Sequence, residues 1–127
     1  MEPGERIDRL AQQTIGAAIE VHSRLGPGFL ESVYEEALAI ELSERAIPFR
    51  RQEGFQVRYR GHDIGQGRMD LLVGDELIVE LKAVDQLLPI HKAQVISYLR
   101  AVEFKLALLI NFNAQRLRER IQRIELS

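Results

Sequence analysis

A mixed α/β chain, with helices packed on a mixed sheet, follows from three features of the 127-residue sequence. Two segments of helical apolar spacing open it. Strand-like alternation fills the middle. A helical stretch then lies between two apolar, strand-like runs. The element order read this way is α-α-β-β-β-α-β plus a tail.

Residues 5–24 carry Ile7, Leu10, Ile15, Ala18, Val21 and Leu25 close to one helical stripe. Leu25-Gly26-Pro27-Gly28 stops that helix, because proline offers no N–H and glycine supplies unusual backbone angles. A second helix runs from about Phe29 to Ala46, with Leu30, Val33, Ala37 and Ile40 as its expected apolar stripe, and Ile47-Pro48 ends it. Residues 49–60 alternate through Phe55, Val57 and Tyr59 as a strand would, and Gly61 to Gly67 reads as a turn region. Strands at about 67–73 and 77–84 follow, joined around Gly74-Asp75. Pro89 precedes a helix over 90–102 with Val95, Ile96, Leu99 and Val102 inward. Lys105 to Asn111 is a nearly continuous apolar run, as in a strand buried on both faces. The β-α-β step predicts a parallel crossover. From Ala114 to Ser127, Leu117, Ile121 and Ile124 have helical spacing, yet the segment is short enough to end as an edge strand.

The length suits a single domain over residues 1–127. Hydrophobic content of 46% and charged content of 28% are ordinary for a globular chain. Cysteine is absent, which excludes disulfides and thiolate metal sites. No apolar run is long enough to span a bilayer, and Glu2, Glu5 and Arg6 do not fit a secretory leader. The default expectation is a cytoplasmic protein with no membrane partner.

Net charge is −2, which argues against a general polyanion binder, but it is unevenly spread. Residues 1–44 hold 3 basic and 9 acidic side chains, residues 45–68 hold 6 basic and 2 acidic, and residues 69–127 hold 8 of each. Arg50, Arg51, Arg58, Arg60 and Arg68 in the middle stretch suit phosphate contacts, or else form a solvated strand face.

Asp70, Glu80 and Lys82 carry the sharpest chemical signal, since charges rarely occupy a buried strand face unless paired or bound to a metal. Period-two alternation puts Glu80 and Lys82 on one face and Val79 and Leu81 on the other. A two-residue turn at Gly74-Asp75 would set Asp70 opposite Val79 and point the two acids to opposite sides. Convergence requires residue 70 to face residue 80, through an odd-length loop such as Gly74-Asp75-Glu76 or through a bulge. The carboxylates would then offer hard oxygen ligands to Mg²⁺ or Mn²⁺, with the Leu81 carbonyl as a further donor. Such a metal polarises a phosphoryl oxygen and acidifies water, and Lys82 beside it can hold the water or offset developing charge. The bland alternative is a surface ion pair on a hairpin.

Two other elements bear on this choice. Gln94 and Tyr98 are four residues apart on one helical face, either as hydrogen-bonding groups or as an ordinary helix border. Glu31, in Gly28-Phe29-Leu30-Glu31-Ser32-Val33-Tyr34, is either a complement to a helix dipole or a third acid of the metal site.

Taken in order, Val21-His22, Leu25-Gly26-Pro27-Gly28, Glu31, Tyr34, Asp70, Glu80-Leu81-Lys82, Gln94, Tyr98 and Leu109-Ile110-Asn111-Phe112 resemble the GxxExxY family, a branch of the PD-(D/E)XK nuclease superfamily. The resemblance runs from about Ile15 to Asn113. It implies a restriction-endonuclease-like αβββαβ core with an extra N-terminal helix. It also implies Asp70 and Glu80 as metal-binding acids, Lys82 as the catalytic lysine, and Glu31 as the acid that completes the site. Gln94 and Tyr98 match the Gln-x-x-x-Tyr element of the RecB-like branch. Met69 stands where the superfamily's name has proline, and that proline bears no chemistry. His22 falls where some RecB-like nucleases place a histidine metal ligand, and it equally suits a core position at a helix C-terminus.

The function implied is a Mg²⁺-dependent nuclease, with Mn²⁺ as a substitute, acting on nucleic acid and in first place DNA. A non-catalytic nucleic-acid-binding module and an interaction subunit of a larger assembly are the competing expectations. A homodimer would supply the two sites needed to cut both strands.

Overall fold

The computed structural model describes residues 3–126. Helix α1 spans Pro3–Leu25 and α2 spans Glu31–Glu44; strands β1 (Phe49–Tyr59), β2 (His62–Val73) and β3 (Leu77–Lys82) follow. Helix α3 (Pro89–Val102), strand β4 (Leu106–Asn111), a single 3₁₀ turn (Leu117–Arg120) and strand β5 (Ile121–Glu125) complete the chain. The five strands form one sheet in sequence order, antiparallel throughout except for the parallel β3–β4 pair. Helix α3 is the connection between those two parallel strands, since a parallel pair cannot be joined by a tight turn.

Alternation along the central strands separates two cores. Leu71, Val73, Val79, Leu81, Leu108 and Ile110 pack with α1 and α2 on one face of the sheet. Leu72, Ile78, Ala107 and Leu109 pack with Val95 and Leu99 of α3 on the other. Every residue of β4 is buried, as its unbroken apolar run requires. Each fully buried leucine or valine here contributes roughly 1.5–3 kcal/mol over the exposed state.

Two expectations need correction, and a third, left open in the sequence, is resolved. The stripe on α2 is not Leu30, Val33 and Ile40: Leu30 is 76% and Ile40 58% exposed, only Ala37 of the expected set packs against the core, and the buried residues are Tyr34, Leu38, Ala39 and Leu42. The buried face also carries half-buried Glu31 and Glu35, which hide it from an apolar count. Gly61 to Gly67 is not a turn region, because β2 already starts at His62 and pairs with β1 from Tyr59↔His62 onward. Cross-strand hydrogen bonding imposes extension on a Gly-rich stretch that lacks strand propensity of its own. The tail, open in sequence between helix and edge strand, ends as an edge strand. One 3₁₀ turn leads into β5, which pairs antiparallel with β4 from Ile110↔Ile121 to Leu106↔Glu125.

The breaks between elements follow sequence logic. Gly26 and Gly28 adopt φ of 70° and 109°, a region that admits glycine at little cost. Tyr34 closes that turn. Its hydroxyl donates to the Gly26 carbonyl at 2.5 Å and accepts from the Phe29 N–H at 3.2 Å, and its ring stacks on Phe112 at 4.6 Å.

Candidate active site

The β2–β3 hairpin sets the geometry. Its ladder pairs Leu71 with Val79, Leu72 with Ile78 and Val73 with Leu77, leaving Gly74-Asp75-Glu76 as a three-residue loop. Gly74 and Asp75 both take left-handed angles, φ 59° and 61°. At Gly74 a side chain would also meet Leu10, with a Cβ 2.7 Å from its Cδ1. This odd loop is what opposition of the two acids requires, and one step beyond the last ladder pair Asp70 stands opposite Glu80.

Backbone pairing of β2 with β3 stops there, and the carboxylates take its place. The Asp70 N–H donates to Glu80 Oε2 at 2.7 Å, and the Leu81 N–H donates to Asp70 Oδ2 at 2.8 Å. Each acid thus spends one oxygen on the neighbouring strand and keeps the other. On its far side β3 stays paired to β4 as far as Lys82↔Asn111, and the Phe112 N–H donates to the Lys82 carbonyl at 2.8 Å. Asn111, fully buried, then grips the chain leaving β3: its Oδ1 accepts from the Val84 N–H at 3.0 Å and its Nδ2 donates to the Val84 carbonyl at 2.8 Å. The segment bearing Glu80 and Lys82 is therefore held by its backbone, which leaves those side chains free to act.

The other walls come from α2, β1 and α3. Glu31 opens the first turn of α2, and Glu35 follows one turn later on the same side. Glu35 Oε2 accepts from Arg51 Nη2 at 3.0 Å, and its Oε1 accepts from Gln52 Nε2 at 2.6 Å. From α3, the Tyr98 ring meets the Phe55 ring edge-on at 4.9 Å. Phe55 in turn lies across Gly67 on β2, its cross-strand partner, where an added Cβ would collide with the ring.

Electrostatics marks this cluster out from the rest of the surface. Burial, then the Asp70 charge, pushes the Glu80 carboxyl up to about 8. Burial raises Asp70 as well, against the Leu81 N–H that favours its charged form. Glu31 is raised by burial and by Asp70, with Lys82 pulling the other way. The Tyr98 phenol is raised by burial and then by Glu80 and Asp70, so it remains an O–H donor. Lys82 acts on all three acids at a distance but forms no ion pair among the described residues. Acids crowded together and short of countercharge suit a divalent cation, and their oxygens are hard donors of the kind Mg²⁺ and Mn²⁺ prefer. No three His, Asp or Glu side chains among the described residues form a ready-made metal cage. The fit rests on the opposed Asp70–Glu80 pair, with Glu31 within electrostatic reach.

The other sequence candidates are placed as follows. Gln94 is exposed on α3, one turn before Tyr98, and enters no hydrogen bond among the described residues. His22 is buried and its Nε2 donates to the Ala114 carbonyl at 2.7 Å, the bond of a satisfied core histidine. The five arginines do not form one free basic face. Arg50 pairs with Asp75 at 3.0 Å, Arg51 with Glu35 and Glu36, and Arg58 with Asp63 at 2.9 Å. Arg60 lies over the Tyr59 ring at 5.7 Å, and Arg68 is exposed with no ion pair among the described residues. Sequence reasoning missed Glu35 and Gln52. Glu35 had a signal, since it lies four residues after Glu31 on a helix; Gln52 had none.

The helix-flanked, five-stranded mixed sheet, with its one parallel pair between β3 and β4, places the fold in the restriction-endonuclease-like α+β class. A family model described as the PD-(D/E)XK nuclease superfamily matches residues 8–124, and the chain belongs to that superfamily. No curated protein and no solved structure matches it.

Proposed function

We propose that this protein is a nuclease that hydrolyses phosphodiester bonds of nucleic acid, in first place DNA, with Mg²⁺ as its cofactor and residues 1–127 as one catalytic domain. The observation that carries this reading is the opposition of Asp70 and Glu80 where the hairpin ladder ends, beside Lys82. Asp70 Oδ1 and Glu80 Oε1 would hold the cation, with Glu31 and the Leu81 carbonyl as further donors. When bound, the cation supplies Lewis acidity toward a phosphoryl oxygen and toward an attacking water. Lys82 orients that water and offsets the negative charge that develops on phosphorus-bound oxygens. Tyr98, kept protonated beside the acids, donates a hydrogen bond to the substrate phosphate, and Gln94 borders the same helix face. Glu31 and Tyr34 at their spacing after Gly28 support the GxxExxY branch, with Tyr34 holding the turn that precedes Glu31.

The test uses purified protein with Mg²⁺ or Mn²⁺ and single- and double-stranded DNA and RNA. The wild type should cleave at least one of the four, and Lys82→Ala, still folded, should lose about 10²-fold or more in rate. Salt-dependent binding without turnover, equal in both proteins, would favour a binding module instead.

A further inference from the structure

Gln52 stands out in a way the hydrolytic reading does not require. It sits inside β1 with φ of 50°, a left-handed conformation that costs energy for any side-chain-bearing residue. The β1–β2 ladder pairs Arg51 with Leu71 and Glu53 with Met69 but skips Gln52, the residue facing Asp70. The same break shifts the alternation of β2: Met69 and Leu72, three residues apart, pack into one core, while Leu71 packs into the other. The gap in the ladder thus coincides with the acid at the centre of the site.

The side chain accounts for the distortion. Gln52 Nε2 donates to Glu35 Oε1 at 2.6 Å, across to α2, while its flanking residues stay paired to β2 on either side of Asp70. Arg51, the neighbouring residue, binds the second oxygen of Glu35 at 3.0 Å and Glu36 at 2.8 Å. Glu35 is thereby fully engaged and serves as an anchor rather than a ligand. Glu31 is one helical turn earlier on the same face.

We propose that Gln52 is a positioning residue: its amide ties the acid-bearing helix to the splayed hairpin, holding Glu31 and Asp70 in one frame for a divalent cation. The inference rests on the metal-dependent reading above. Its chemistry explains the residue type. A neutral donor beside Asp70 leaves that acid's charge for the cation, whereas a lysine there would neutralise it permanently and compete with the cation. The distorted backbone carries an amide bonded to α2, and strain of this kind persists where surrounding structure over-determines it.

The experiment is a calorimetric Mn²⁺ titration of wild type, Gln52→Ala and Gln52→Gly, with melting of each protein in the absence of metal. Gln52→Gly keeps the left-handed backbone at no steric cost and removes only the amide. Both variants should bind Mn²⁺ about 10–100-fold more weakly, as outer partners of metal ligands do, with melting within a few degrees of wild type. Wild-type affinity in folded Gln52→Gly overturns the proposal and leaves the metal site standing. A wild type that binds no Mn²⁺ overturns both.

Discussion

Replacing Glu80 by glutamine should make the metal-free protein more stable at high pH, even as it disables the site. Glu80 is 4% exposed, and burial with the Asp70 charge raises its carboxyl from the ordinary 4.5 to about 8. In the unfolded chain it ionises near 4.5, so its contribution to stability is fully present below that pH. It falls as pH rises toward about 8 and is lost above that. The ceiling on this loss, at 1.36 kcal/mol per unit, is about 5 kcal/mol. Glutamine can still accept the Asp70 N–H that Glu80 Oε2 now accepts, so the bond at 2.7 Å has a replacement. Asp70 remains charged in the variant and keeps part of the desolvation cost, which leaves an expected gain of about 2–4 kcal/mol at pH 9. For a chain of this size that is roughly 10 °C in melting temperature. The assay is thermal melting with a chelator present, from pH 5 to pH 9. Wild type should lose stability across that range and Glu80→Gln should lose markedly less. A wild-type curve flat in pH, or a variant that melts no higher than wild type at pH 9, would refute the reasoning.

Two further substitutions probe the supports of the site. Tyr34→Phe keeps the ring on Phe112 but unpairs the Gly26 carbonyl and the Phe29 N–H. It should cost about 1–3 kcal/mol in denaturant unfolding. Gly67→Ala drives a methyl into the Phe55 ring that braces Tyr98, and should cost about 1–2 kcal/mol by the same measurement, with chemical shifts of Tyr98 moving as well.

How far the site was legible in the sequence depended on what each residue answers to. The hairpin register was legible because two acids and a lysine must share a face, and period two then requires an odd loop or a bulge. Gly74-Asp75-Glu76 supplies it. Strand β4 was legible because burial on both faces leaves an unbroken apolar run. The face of α2 was not. Its buried side carries Glu31 and Glu35 between Tyr34, Leu38 and Leu42, while Leu30 and Ile40 lie outside. An apolar count reads the wrong side of a helix that delivers carboxylates inward. Residues 62–66 became strand through pairing with β1, which no local propensity announces. Gln52 was invisible for a related reason: its position depends on a break in pairing two strands away from Glu80, and glutamine has no preference for left-handed backbone.

The central claim is that Asp70 and Glu80 together hold a divalent cation. Calorimetric titration of Mn²⁺ into wild type, Asp70→Asn and Glu80→Gln tests it without reference to substrate. The account predicts saturable binding to wild type and none to either folded variant. Binding of equal affinity in all three, or no binding to wild type, would contradict it.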